Sequence, residues 1–210
     1  MYSTKNSEHV FMKKTVGMLF FIFFSLLIVG CSANSATEEN GEKAEKTTDK
    51  SEQAIRAVIE KEFNGPDEKY KMLWETMVEA QTSDQYIDDY EAFLDSPEYQ
   101  ELMSYTEETY ASYFTENGLD NFINQSSAFM YSSFDGDYKL NTTAIEIAQS
   151  KNETTLYGFT FQVEYTDENG ESSQFNFEGD AITPEKGEIG KIEYSDGDKL
   201  LEALRNKEYK

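Results

Sequence analysis

Tyr157, Phe159, Phe161, Val163 and Tyr165 take every second position of one stretch, with Gly158, Thr160, Gln162 and Glu164 between them. Successive side chains of a strand point to opposite faces, so this alternation calls for a sheet with one face buried and the other wet. Asp167 to Gly170, DENG, then supplies the Asn-Gly turn of a hairpin that returns through Phe175 and Phe177 to about Ile182. Ile145 and Ile147 mark a strand before this pair, and Ile189, Ile192 and Tyr194 one after it, beyond the turn at Pro184. A short helix, Asp198 to Asn206, closes the chain. The apolar face of such a sheet has to be covered by a second layer.

That layer is legible upstream. Asp49 with Glu52 three residues later makes a capping signal, after which Ala54, Ile55, Val58, Ile59 and Phe63 lie on one helical stripe that Asn64 and Gly65 stop. Pro66 suits the first position of a second helix, in which Tyr70, Leu73, Trp74, Met77 and Val78 recur at helical spacing. Thr82 and Gln85 open a third, carrying Tyr86, Ile87, Tyr90, Phe93 and Leu94. Ser96 and Pro97 start a fourth, whose Tyr99, Leu102, Met103, Tyr110, Tyr113 and Phe114 lead to a stop at Asn117 and Gly118. Helices first and strands afterwards predict an α+β domain, with N-terminal helices packed on an antiparallel meander. Residues 51–210 are enough chain for one domain with its own core.

The first thirty residues read differently. Val16 to Gly30 is apolar apart from Gly17 and Ser25, follows Lys13 and Lys14, and gives way to Cys31, Ser32, Ala33 and Asn34. This is a signal-peptide layout, too short for a spanning helix and without a basic flank on its far side. Met12, just ahead of the lysines, is a more natural start than Met1, because residues 1–11 are polar and include Glu8. Cys31 is the only cysteine in the chain. Ile28, Val29, Gly30 and Cys31 resemble the lipobox of bacterial lipoproteins. The resemblance implies diacylglycerol transfer to the Cys31 sulfur, cleavage just before it and a mature chain that begins at Cys31. Two acyl chains hold a protein firmly at a bilayer, at about 0.8 kcal/mol per buried CH₂. The competing reading is an incidental cysteine at the end of an ordinary secretory signal. Ser32 to Lys50, SANSATEENGEKAEKTTDK, has no large apolar residue and reads as a tether of about 25 Å average reach.

Charge and residue usage narrow the chemistry. Removing residues 1–30 takes Lys5, Lys13 and Lys14 from the 18 basic residues and Glu8 from the 41 acidic ones, leaving 15 against 40 and a charge of −25. Such a surface repels nucleic acid and anionic headgroups, so the membrane link has to come from the lipid. The one histidine, His9, precedes the cleavage point. The mature chain therefore lacks a Ser-His-Asp triad, a Cys-His pair, a histidine base and a thiolate zinc site. Acidic neighbours such as Asp88 with Asp89 and Glu107 with Glu108 point in different directions on a helix and read as solvated surface. DGD recurs at Asp135 to Asp137 and Asp196 to Asp198, but neither copy extends to the spacing of a calcium loop, and both suit turns. No metal or cofactor is expected.

The order of elements, together with the opening "EKEFNGPDEKY" and the close "GKIEYSDGDKLLEAL", resembles the NTF2-like, cystatin-related fold and small lipoproteins of Gram-positive-type bacteria. In that fold a curved sheet wraps a helix to form a cone, and the resemblance carries no catalytic residue over to this chain. Trp74, Tyr110, Phe159, Phe161, Phe175 and Phe177 are candidates to converge between helices and sheet, either as packed core or as the wall of a ligand pocket. The expectation is a lipid-anchored, extracytoplasmic binding protein whose partner is the membrane together with an envelope protein or a small apolar ligand. A cone-pocket enzyme using Asp, Glu and Tyr, and a structural surface protein, are the alternatives.

Overall fold

The computed structural model describes residues 49–125 and 127–208; the signal-like segment, Cys31 and nearly all of the tether lie outside the described residues. Within them the chain runs α1 (Lys50–Phe63), α2 (Glu68–Gln81), α3 (Tyr90–Leu94), α4 (Pro97–Tyr110) and α5 (Glu116–Asn124). It continues as β1 (Tyr138–Gln149), β2 (Leu156–Asp167), β3 (Ser172–Ile182), β4 (Lys191–Ser195) and α6 (Asp198–Glu208). The strands form one antiparallel meander in the order β1-β2-β3-β4. The class is α+β, with α1 to α5 ahead of the sheet and α6 after it, as the sequence predicts.

The β2 alternation does what its period requires. Tyr157, Phe159, Phe161, Val163 and Tyr165 are all buried, and the register sets Phe161 opposite Phe177 and Val163 opposite Phe175. Gly170 closes the hairpin at φ 80°, and the Asp167 carboxylate accepts from the amides of Asn169 (2.9 Å) and Glu171 (3.0 Å). In β1 the register slips between Thr143 and Glu146, where Ala144 takes a left-handed φ of 52°. Such a bulge bends its strand.

α1 packs its buried stripe of Ile55, Val58, Ile59 and Phe63 toward the sheet. Asp49 caps it by accepting from Ser51 N at 2.9 Å, and burying each large aliphatic or aromatic side chain contributes about 1.5–3 kcal/mol. The helix is tied to β1 at both levels: Arg56 Nη2 donates to the Ile145 carbonyl at the bulge (3.2 Å), and Leu140 N to the Gly65 carbonyl (2.7 Å). Phe63 fills the space between helix and sheet. Its ring lies 4.5 Å from Tyr131, 4.8 Å from both Phe161 and Phe177, and 5.1 Å from Tyr194, centroid to centroid.

Several boundaries differ from the sequence expectation. Pro66 stays outside α2 because Asp67 takes the cap, accepting from Tyr70 N at 2.8 Å. The helix expected from Thr82 is reduced to α3. Thr82 ends α2 by donating to the Val78 carbonyl, Asp89 caps α3, and Ile87 and Tyr90 are each 63% exposed. α4 begins at Ser96 and Pro97 as expected but ends at Tyr110, and Asn117 and Gly118 lie inside α5 rather than at a stop. Thr115 caps α5, and a Cβ on Gly118 would collide with the Ile189 carbonyl oxygen and sit 2.9 Å from Thr115 Oγ1. The glycine serves the close approach of the chain at Ile189, which bridges Phe114 in parallel. Here packing needed glycine where local propensity would read a helix end.

Candidate functional site

Of the six aromatic residues nominated for the interior, Tyr110, Phe159, Phe161 and Phe177 converge there. Phe175 is only partly buried, and Trp74, 37% exposed, lies elsewhere. Phe161 stacks on Phe177 with centroids 5.0 Å apart and planes 8° from parallel. The interior between α1 and the sheet is packed with rings.

A carboxyl group is buried beside that packing. Glu62, 1% exposed, follows Ile55, Val58 and Ile59 at helical spacing and so points inward from α1. Its Oε1 accepts from the Tyr110 hydroxyl and, at 2.8 Å, from the backbone amide of Phe129. Phe129 is held at φ 55°, a left-handed conformation unfavourable for an aromatic residue. Glu62 Oε2 and the Tyr194 hydroxyl are buried without a hydrogen-bond partner. Burial raises the Glu62 pKa to about 7, although Tyr110 and the amides of Phe129 and Met130 favour its charged form. Burial, and then the negative charge of Glu62, hold the Tyr110 and Tyr194 hydroxyls well above the usual tyrosine range. The same two causes push Tyr70 up to about 12.

Phe129, whose amide binds this acid, also lines a cavity of about 410 Å³ on the helical side of the domain. Trp74 and Met77 of α2, Met103 of α4, Met130, and Leu201 and Arg205 of α6 are among its lining residues. Trp74, Tyr70 and Phe129 form a ladder along one wall, with centroids 6.1 and 4.4 Å apart and neighbouring planes within about 22°. The lining includes neither a carboxylate nor Glu62. No protein-family model matches the chain, and no curated protein matches it.

The other nominated residues are not drawn into a site. Asp88 is exposed, Asp89 caps α3, Glu107 is exposed and Glu108 accepts from Ser104 Oγ at 3.3 Å. Both DGD copies sit at bends of the chain with their carboxylates exposed. Among the described residues no group of three or more His, Cys, Asp or Glu side chains could hold a metal ion, and no helix is long and apolar enough to cross a membrane. Cys31, the nominated lipidation residue, lies outside the described residues. Glu62 and Arg205 were not singled out by the sequence reading. Glu62 was detectable as a charge on a core stripe. Arg205 reads in sequence as an ordinary cation in a last helical turn.

Proposed function

We propose that the protein is a lipid-anchored, extracytoplasmic binding protein without catalytic activity. The anchor is supported by the IVGC sequence ending at Cys31, the apolar run before it and the charged tether after it. The binding role is supported by the separation of acid from cavity. Among the described residues Glu62 is the one carboxyl raised toward neutrality, and it is buried outside the cavity's lining, which is largely apolar with Arg205 as its cation. A general acid or base has to reach its substrate within hydrogen-bond distance, directly or through one water. That requirement weighs against the cone-pocket enzyme. The NTF2-like assignment belongs to the same proposal and is supported by α1 lying against the buried face of a four-stranded meander. The filled interior moves the ligand site from inside the cone to the helices that cover it. Fractionation of a Cys31→Ser variant tests the anchor: the expected result is unprocessed precursor or release from the membrane, and a processed, membrane-bound variant would overturn it.

A further inference from the structure

We propose that the cavity between α2, α4 and α6 takes a carboxylate amphiphile, with its apolar chain among the methionine and aromatic side chains and its carboxylate on Arg205. This rests on the binding reading above and names its ligand class. The apolar part follows from the wall. Met77, Met103 and Met130 are unbranched and polarizable, so they adapt to a flexible chain, and Trp74 offers a half-exposed ring face at the rim. The small hydroxyl side chains of the wall are committed to the backbone: Thr106 Oγ1 donates to the Leu102 carbonyl at 2.9 Å and Ser133 Oγ to the Met130 carbonyl at 3.1 Å.

The charged part follows from Arg205. It is exposed and lines the cavity, yet among the described residues it has neither an ion-pair partner nor a hydrogen bond. Cations are scarce in this chain, with 15 basic residues against 40 acidic ones after Gly30. Its place distinguishes it: Arg205 is the cation of a cavity wall that contains no carboxylate, and so is placed to receive an anion from outside. Its planar fork matches a carboxylate with two parallel hydrogen bonds. The surrounding negative field keeps anions without an apolar part from accumulating there, so charge and chain have to act together.

Trp74 is the only tryptophan of the chain and lines the cavity, so its emission reports occupancy. The full chain, produced in a lipoprotein-processing host and reconstituted in phosphatidylcholine vesicles, is titrated with ω-bromoundecanoate and with the matching ω-bromo alcohol. Vesicle partitioning of both probes is measured separately. The expected result is saturable quenching by the carboxylate, with an affinity about tenfold weaker in Arg205→Gln, largely recovered in Arg205→Lys, and unchanged by either variant for the alcohol. Saturable quenching by both probes that ignores Arg205→Gln would overturn the carboxylate assignment and leave the binding reading standing. Absence of saturable quenching by either probe would overturn the binding reading itself.

Discussion

Replacing Glu62 by glutamine should change how stability depends on pH. The folded-state pKa of about 7 lies above the ordinary 4.5, so folding favours the protonated acid. The stability that this group contributes is therefore present below about pH 4.5 and is lost as the pH rises through 7. At 1.36 kcal/mol per pH unit the full loss is about 3 kcal/mol, most of which falls between pH 5 and pH 8. Glutamine has nearly the same shape and no charge to lose. Its carbonyl can still accept from Tyr110 and Phe129, and any cost of its amide is the same at both pH values. All other ionisable groups are common to both proteins, so their effect cancels in the comparison. Urea unfolding at pH 5 and pH 8 should show the wild-type chain losing about 2–3 kcal/mol more than Glu62→Gln. With a slope of about 2 kcal/mol per molar urea, this is a difference of about 1 M in midpoint shift. Equal pH dependence in the two proteins would refute the idea that Glu62 titrates in the buried state.

Tyr110→Phe should act in the opposite sense: loss of the hydroxyl that donates to Glu62 costs about 2 kcal/mol at pH 8, where the acid is charged, and less at pH 5, steepening the urea-midpoint dependence on pH. Gly118→Ala should destabilise by about 1–3 kcal/mol in urea melts despite the better helix propensity of alanine, because its Cβ meets the Ile189 carbonyl. Ala144→Gly should raise the thermal midpoint, corresponding to about 0.5–1 kcal/mol, since the residue is exposed and its left-handed φ is relieved.

The sheet was legible because one physical rule, burial of one face, governed β2 and its hairpin partner. The stripe of α1 was legible for the same reason, as was the Ser96-Pro97 start of α4, where the cap is made within the helix itself. The failures share a cause: contacts distant in sequence overrode local signals. Gly118 answers to Ile189, some seventy residues away, and Trp74 and Val78 keep helical spacing yet lie at an edge where nothing covers them completely. The cavity was illegible because it is assembled from α2, α4, the turn at Phe129 and α6, none of which carries a binding motif of its own. The buried acid was written in the sequence as a single glutamate on an apolar stripe, but its pairing with Tyr110 and the amide of a left-handed Phe129 depended on the fold.

The most direct test of a lipid-anchored binding protein is native mass spectrometry of the full chain extracted from its own host membrane, before and after unfolding in the gas phase. The expected result is a polypeptide beginning at Cys31 with a covalent diacylglyceryl mass, and a second, reproducible mass that leaves on unfolding. A chain without lipid at Cys31 and without a releasable mass would refute the proposed function.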